Sequence, residues 1–431
     1  MQDHLADSQW WPAEELEKRR DVELSSLLEH AWRTVPAQRP RLEAAGYRPG
    51  EQLDPDVWQR IEPLTRAELQ ENGDEFRSTA TPADHGDILN VSSSGSTGRP
   101  LTIHGTLRDA AIGKAFLLRY HLWHNTDFAL PMAMIRKFRR GEADYPDGIR
   151  RDRWGDQGTY PFPTGPAAGL SIHAGIEQQA EWLRRHPPGY LVTYPSNLGA
   201  LARHCADIGL ELPGLRHVMT LSETLSGEDR EACRLAWGVQ VIDQYSAREV
   251  GLIAAQCPEH PHYHVQAERV VVEVLDGDGE PCAPGQVGRV IVTSLHNYEQ
   301  PLIRYAIGDF AEFGEPCACG RGLPVLKRIL GRDRGMMVTP DGGRYWPFFG
   351  AAGFPAITPV CQHQFVQREP GAIVCRFVVA RPLTAEEEAG LRDHIGARLP
   401  YPFRLDFSYV TAISRAESGK FEEFRCEVTP D

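Results

Sequence analysis

Apolar positions in the first ninety residues follow the repeat of an amphipathic helix. Leu24, Leu27, Leu28 and Ala31 stand at positions i, i+3, i+4 and i+7, which share one face of a helix with 3.6 residues per turn. The positions between them are polar. We therefore predict that this region is helical and buries one face.

Farther along the chain the apolar runs become short and alternate with helical patterns. Residues 88–91 read as a strand that enters a Ser/Gly-rich loop, and residues 190–193, 217–221 and 239–242 are further short apolar runs. Strands that alternate with helices indicate an α/β fold.

The pattern changes again near residue 265. Residues 269–275 and 288–293 are β-rich runs, and an Asp-Gly-Asp-Gly turn at 276–279 follows the first of them, which predicts a β-rich subdomain. The last hundred residues predict a strand at 373–379, a helix at 385–399 and a strand at 404–410. We expect a large N-terminal domain at 1–331, made of α/β subdomains and a β-rich subdomain, and a small, mobile α+β domain at 332–431 joined to it by a hinge.

Composition limits the class of partner. The 431 residues carry a net charge of −13, which argues against nucleic acid as a ligand because phosphate backbones need a basic surface. No apolar run is long enough to span a bilayer, and the N-terminus has no apolar core of a signal peptide, so we expect a cytoplasmic protein with no membrane partner. Nine cysteines fit free thiols or metal ligands in that compartment.

The Ser/Gly-rich loop is the strongest local signal for chemistry. Glycines let the backbone approach a polyphosphate closely, while backbone N–H groups and hydroxyls donate hydrogen bonds to it. A Walker loop is excluded because its Gly-Lys-Ser/Thr ending is absent. The predicted phosphate-binding residues are Ser93, Ser94, Gly95, Ser96, Thr97, Gly98 and Arg99.

This loop resembles that of the adenylate-forming superfamily, in particular the phenylacetate–CoA ligase family and its capsular-polysaccharide-associated relatives. The family's loop ends in Gly-(Ser/Thr)-Thr-Gly-Lys-Pro, and Arg99 occupies the basic position here. Residues 64–69 resemble the family's opening segment, and residues 194–198 resemble its Pro-Ser-Tyr segment. The resemblance implies binding of ATP and of a carboxylic acid.

Two further segments resemble the family's nucleotide-binding motifs. Ser222, Glu223 and Thr224 correspond to the strand end that borders adenine, and Asp243, Gln244, Tyr245 and Ser246 begin the Tyr-Gly-x-(Thr/Ser)-Glu motif, whose carboxylate is Glu249. An aromatic ring can lie on adenine, and a carboxylate can hold Mg²⁺. The resemblance implies that Glu249 is catalytic and binds Mg²⁺.

The remaining motifs lie in the second half of the chain. Asp309 ends a segment that resembles the family's Arg-Tyr-x-x-Gly-Asp motif, and the resemblance implies that its carboxylate accepts hydrogen bonds from the ribose hydroxyls. For Arg304 of the same motif, the alternative to a ligand contact is a salt bridge that braces the loop. Arg332 lies in a segment that resembles the family's Gly-Arg-x-Asp hinge, whose pivot is Asp333 or Arg334 here. The resemblance implies that Arg332 is catalytic and reaches the nucleotide phosphate or ribose. Lys420 matches the family's terminal catalytic lysine, a mobile charge that can neutralise the transferring groups.

Cysteines and histidines on either side of the β-rich segment suggest a zinc site. Cys257, Cys317 and Cys319, with one histidine of His260, His262 and His264, supply the four soft or imidazole ligands of tetrahedral Zn²⁺. His264 matches the family best. We predict a structural zinc because four protein ligands leave no open position; free thiols in sheet packing are the alternative.

The implied reaction has two steps. The carboxylic acid, expected to be an aryl acid, is converted by ATP into an acyl-adenylate with release of pyrophosphate, and the acyl group then passes to coenzyme A. The alternative acceptor is an amine or another nitrogen nucleophile, since residues 341–347 differ from the loop that shapes the family's thiol tunnel and Arg248 stands where the family has a small hydroxyl residue. A non-catalytic nucleotide-binding protein is a third alternative, and a homodimer is left open.

His121, Trp123, His124 and Phe128 are candidates either for an aryl pocket or for core packing on a helix.

Overall fold

The computed structural model describes residues 1–92, 101–155, 159–332, 335–347, 349–415, 419 and 421–428, with the backbone alone at 352 and 355. The chain divides into two compact units, Met1–Ile329 and Leu330–Asp431. The division falls two residues before the predicted domain boundary at 331/332.

The N-terminal region of the first unit is helical. The apolar stripe of the second helix is buried, with Leu24, Leu27, Leu28 and Ala31 each at most 3% exposed. It packs against Ile61 and Leu295 in one cluster. The helices are α1 (Gln2–Ser8), α2 (Ala13–Thr34), α3 (Gln38–Ala44), α4 (Pro55–Arg60) and α5 (Arg66–Asn72), followed by short 3₁₀ helices at Gly73–Phe76 and Ala83–His85.

Two antiparallel strands, β1 (Ile88–Ser92) and β2 (Thr102–Thr106), flank the Ser/Gly-rich loop. Ser92 pairs with Thr102, and their hydroxyl oxygens are 2.9 Å apart. We call these two paired strands, which precede and follow the Ser/Gly-rich segment in sequence, the hairpin stem.

One sheet of 12 strands forms the centre of the unit, in the order β11-β12-β13-β14-β10-β9-β8-β7-β6-β3-β5-β4. Strands β3, β5, β6, β7 and β8 run parallel, and β4 is an antiparallel edge. From β8 onward the pairs with β9 and β10 are antiparallel. Strand β8 thus belongs to both halves of the sheet. The strands are β3 (Met132–Arg136), β4 (Ile149–Arg151), β5 (Ala167–Ser171), β6 (Tyr190–Thr193), β7 (His217–Thr220), β8 (Gln240–Ala247), β9 (Gly251–Gln256), β10 (Tyr263–Val265), β11 (Val270–Leu275), β12 (Val287–Ser294), β13 (Tyr305–Phe313) and β14 (Val325–Arg332).

The helices of the α/β part are α6 (Leu107–Trp123), α7 (Ile176–Arg185), α8 (Pro195–Asp207) and α9 (Gly227–Trp237). Local sequence fixes their ends. The Ser226 hydroxyl accepts the backbone N–H of Asp229 at the start of α9, and Gly238 ends that helix in the left-handed region at φ +69°. Proline at the first position of α8 has the backbone angle that a helix start needs.

The second unit is a small α+β domain. Its four-stranded sheet has the order β19-β18-β17-β20, and Phe365 and Phe377 from the sheet pack with Leu391 and Ile395 of the helix. The elements are β15 (Met337–Val338), β16 (Arg344–Tyr345), a 3₁₀ helix at Ala351–Ala356, β17 (Val360–Glu369), β18 (Ala372–Val379), α10 (Ala385–Gly396), β19 (Arg404–Tyr409) and β20 (Phe424–Cys426).

The predicted fold class is confirmed: an α/β and β-rich part is followed by an α+β unit. Across the described ranges, no helix has the length and apolar character to cross a membrane.

Candidate active site and metal site

Several predicted residues lie outside the described part of the chain. They are Ser93, Ser94, Gly95, Ser96, Thr97, Gly98 and Arg99 of the phosphate loop, the hinge candidates Asp333 and Arg334, and Lys420. Their predicted roles remain predictions.

The end of strand β8 brings two predicted motifs together. The hydroxyl of Tyr245 donates a 2.8 Å hydrogen bond to Oδ2 of Asp309, which lies 64 residues farther along the chain on β13. Tyr245 is 8% exposed and packs in the core, while Asp309 is half-buried. The buried phenol therefore orients a carboxylate that is accessible from outside.

Glu249, the predicted Mg²⁺ ligand, is held by an arginine. Its Oε1 lies 2.7 Å from Nη1 of Arg66, and the two side chains are 7% and 21% exposed. Arg66 begins α5, where the reciprocal bonds between Thr65 and Glu68 fix the helix start. Within the described residues, Oε2 of Glu249 accepts no hydrogen bond, so one carboxylate oxygen is available to a cation.

Arg248 connects this site to the hairpin stem. Its guanidinium donates a 3.0 Å hydrogen bond to the carbonyl oxygen of Ser92, the last residue before the predicted phosphate loop. The carbonyl that precedes the loop and the Tyr245–Glu249 segment are consequently neighbours, although 156 residues separate the two partners.

The side chain of Asp243, a predicted nucleotide-binding residue, is hydrogen-bonded to side chains of two other strands. Its two carboxylate oxygens accept hydrogen bonds from the hydroxyls of Thr220 at 2.7 Å and Tyr263 at 2.6 Å. The residue is 5% exposed, and burial raises the pKa of its carboxyl. Its side chain is committed to holding β7, β8 and β10 together, and the neighbouring Gln244 is half-buried and Ser246 exposed.

The segment after β7 turns sharply at Ser222, which has φ +70°, a left-handed conformation that is strained for a residue with a side chain. Glu223 then accepts the backbone N–H of Ser196 at 3.1 Å, while Ser222 and Thr224 are exposed. Hydroxyls of this segment therefore lie open at the carboxyl edge of the parallel strands, where α/β sheets bind ligands.

Arg304 braces the strand that carries Asp309. It is 2% exposed, pairs with Glu273, and donates to the carbonyl oxygens of Trp58, Gln59 and Ile61. This agrees with the bracing alternative rather than with a ligand contact. Arg332, at the end of β14, is half-buried.

The four predicted zinc ligands lie together. The ligand atoms of Cys257, His264, Cys317 and Cys319 are all within 4.8 Å of one another. The sulfurs of Cys257 and Cys317 are 3.9 Å apart, and the Cys319 sulfur is 3.4 Å from Nε2 of His264. A tetrahedron with zinc–sulfur bonds of about 2.3 Å and zinc–nitrogen bonds of about 2.0 Å has edges of about 3.8 and 3.5 Å. The residues present therefore fit this ion.

Surrounding groups prepare His264 as a ligand. Nδ1 of His264 lies 3.5 Å from the carbonyl oxygen of Leu323, which leaves Nε2 facing the cysteines. Burial lowers the pKa of His264 to about 4, so its ring is neutral, as a zinc ligand must be. Burial raises the pKa of Cys317 to about 12, so zinc would have to displace the thiol proton when it binds. Of the other two candidates, His262 lies 3.0 Å from the Cys317 sulfur through Nε2, and His260 stacks on His262.

The aromatic candidates for an acyl pocket are packed in the core. The His121 ring contacts Phe128, Trp154 and Tyr160, and the Trp123 ring lies edge-on to His264. His121, Trp123 and His124 are each at most 8% exposed, and burial lowers the pKa of His121 to about 3 and that of His124 to about 4. Of the two alternatives, the structure favours core packing.

The chain is similar in sequence to curated coenzyme A ligases. The chain is 26% identical over 391 residues to the phenylacetate-coenzyme A ligase of Thermus thermophilus, covering 84% of this chain and 80% of that protein. It is 24% identical over 348 residues to the Escherichia coli phenylacetate-coenzyme A ligase, covering 75% and 73%. No protein-family model matches the chain.

The fold also matches solved structures. A 2-hydroxyisobutyryl-CoA ligase in the postadenylation state, in complex with 2-HIB-AMP, superposes with a TM-score of 0.76 at 19% identity, covering 97% of this chain and 92% of that one. At this identity the likeness establishes the fold.

Proposed function

We propose, from the premise that the chain is a relative of the phenylacetate–coenzyme A ligases and has the fold of an acid–CoA ligase, that it activates a carboxylic acid with ATP and transfers the acyl group to coenzyme A. A carboxylate oxygen forms a bond to the α-phosphorus while the bond to the β-phosphate breaks, and pyrophosphate leaves. The coenzyme A thiol then loses its proton, its sulfur bonds to the carbonyl carbon, and AMP leaves.

The observation that carries the proposal is the convergence of separate motifs at the end of β8. Tyr245 orients Asp309, Arg66 holds Glu249, and Arg248 reaches the hairpin stem. We assign Asp309 to the ribose hydroxyls, because its carboxylate is oriented and half-buried, and place the phosphates in the loop that follows Ser92.

Two metal ions belong to this proposal. Mg²⁺ would be bound through Glu249, and it supplies neutralisation of the charge on the leaving pyrophosphate. Zn²⁺ would be bound by Cys257, His264, Cys317 and Cys319 and has a structural role, because these four ligands complete its coordination.

The arginine contact changes what we expect of Glu249. Because Arg66 already neutralises one of its oxygens, Glu249 can bind a cation only through the other. Arg66 therefore sets the direction in which the carboxylate faces, and it should contribute to adenylation without touching the nucleotide.

The test is pyrophosphate release over a panel of aryl, aliphatic and dicarboxylic acids, with ATP and Mg²⁺. We expect release with at least one acid, and a coenzyme A thioester detected by mass spectrometry when the thiol is added. Asp309→Asn, which keeps the size of the side chain, is the matched negative control. If an amide forms when amines replace coenzyme A, the acceptor in the second step is an amine and not coenzyme A. A folded protein that releases no pyrophosphate with any acid would refute the proposal.

A further inference from the structure

A basic pocket lies in an otherwise acidic protein. An open cavity of about 330 Å³ is lined by Arg136, Lys137, Phe138, Arg139, Glu142 and Arg151. The segment 136–153 carries seven Arg and Lys residues against four Asp and Glu residues, whereas the chain as a whole has a net charge of −13. We call these six residues the basic pocket.

The cations of the basic pocket are largely uncompensated. Glu142 lies 3.5 Å from Arg151, and its second oxygen accepts the backbone N–H of Arg139. In the described part of the chain, no carboxylate pairs with the side chains of Arg136, Lys137 or Arg139. The Arg136 guanidinium instead lies 5.3 Å from the ring centroid of Phe138. Like charges that are held together repel one another, and a bound polyanion would relieve this repulsion.

The position of the basic pocket connects it with the active site. Arg136 is the last residue of β3, so the pocket opens at the carboxyl edge of the parallel strands, the edge on which Ser222 also lies. The backbone N–H of Lys137 donates to the hydroxyl of Tyr194, and two residues farther on Ser196 donates to Glu223. Two hydrogen bonds, through residues 194–196, thus link the basic pocket to residues 222–224, which are predicted to border adenine.

The basic pocket lies apart from the place near Glu249 where we propose that the ATP phosphates bind. Strands β6 and β7 lie between β3 and β8, and three strand spacings of about 4.8 Å amount to about 14 Å. A chemical group bound in the basic pocket is therefore not one of the ATP phosphates that we propose to bind near Glu249.

Resting on the proposed ligase function, we propose that the basic pocket binds the phosphate-bearing end of a second reactant. Three cations in one small cavity, none paired with a carboxylate of the described residues, match clustered phosphates better than a single carboxylate, for which one arginine suffices. Coenzyme A carries such phosphates at its nucleotide end, and a phosphorylated acid substrate would present the same chemistry. The experiment distinguishes the two sources.

The test is calorimetric binding to the full chain in the presence of AMP, using two pairs of probes. Coenzyme A is compared with pantetheine, which lacks the phosphates, and 3-phosphoglycerate is compared with glycerate. The pocket variant is Arg136→Gln/Arg139→Gln. The matched control is Arg140→Gln/Arg153→Gln, which removes the same charge from the same segment at exposed positions outside the pocket lining.

We expect the wild type and the control to bind coenzyme A more tightly than pantetheine, and the pocket variant to lose about tenfold or more of that preference. Loss of the preference for 3-phosphoglycerate alone would also support the pocket and identify the acid as the source. Equal preferences in the pocket variant and the control for both pairs would overturn the proposal.

Two further measurements test the same assignment of the basic pocket independently. Arg151→Gln, on β4, tests the same pocket from another strand if the double variant does not fold. The preference for coenzyme A should also weaken with added salt, because exposed charges are screened. Binding does not require turnover, so absence of pyrophosphate release would refute the ligase function while the pocket is judged on affinity.

Discussion

Replacing Cys317 with serine should remove one zinc ion per chain and lower the melting temperature of the first unit. Cys317 is one of the four predicted zinc ligands, with the Cys257 sulfur 3.9 Å away and the backbone N–H of Cys319 donating to its sulfur. Serine keeps the shape but is a poor ligand for zinc, which prefers thiolate and imidazole.

The magnitude follows from the length of chain that the metal closes. Cys257 and Cys317 are 60 residues apart, and a cross-link over such a loop removes about 4 kcal/mol of chain entropy from the unfolded state. The first unit spans 329 residues, so its entropy of unfolding is about 0.7 kcal/mol/K. The expected decrease in melting temperature is therefore about 6 °C.

The assay combines elemental analysis with thermal denaturation followed by circular dichroism. Cys282→Ser is the matched control, since Cys282 and Cys317 are both 8% exposed and only Cys317 belongs to the cluster. The control should retain zinc and change the melting temperature less. Wild-type protein that contains no zinc, or two variants that melt at the same temperature, would refute the reasoning.

Three predictions concern the nucleotide chemistry. Lys420→Ala should slow adenylation by about 10²-fold or more with little change in ATP affinity, because we propose that its charge acts in the transition state; a near wild-type rate of pyrophosphate release would end that assignment. Asp309→Ala should weaken AMP and ATP about equally, by about tenfold, through loss of charge-assisted hydrogen bonds to ribose; unchanged calorimetric AMP affinity would contradict it. Glu249→Ala should leave AMP affinity nearly intact while adenylation slows and its Mg²⁺ requirement rises; loss of AMP affinity with no change in Mg²⁺ dependence would reject the metal role.

Local sequence pattern predicted much of the fold, and it singled out the cysteines of the Cys/His cluster. The heptad-like spacing from Leu24 to Ala31 identifies a buried helical face without knowledge of its partner, because the periodicity itself requires a covered side. Cys317 and Cys319 are close in sequence, and with Cys257 and a histidine cluster on the other side of the β-rich segment they suggest a metal site. The spacing left three histidines open, and the resemblance to the family singled out His264.

The contacts that define the candidate active site were not predictable in the same way. The partner of Glu249 is Arg66, 183 residues earlier, and nothing in either segment specifies their meeting. Asp243 stands in a motif that resembles a nucleotide-binding one, yet its environment is decided by Tyr263 on another strand. The aromatic stripe around His121 would have the same sequence pattern if it lined an aryl pocket or if it packed in the core. Only the contacts of the His121 ring with Trp154 and Tyr160 distinguish the two alternatives.

The N-terminal helix α1 has consequences for the order in which the chain acquires structure. Ser8 donates to Glu268, 260 residues away, and the side chain of Gln9, just after the helix, accepts from Arg321, 312 residues away. Gly322 allows the close approach, because a side chain there would collide with the backbone of Trp11. During synthesis from the N-terminus, domains fold as their segments emerge. The hydrogen bond between Gln9 and Arg321 can therefore form only after the loop that carries Cys317 and Cys319 has left the ribosome. This bond and the meeting of the four Cys and His ligands are consequently among the last contacts to form in this unit.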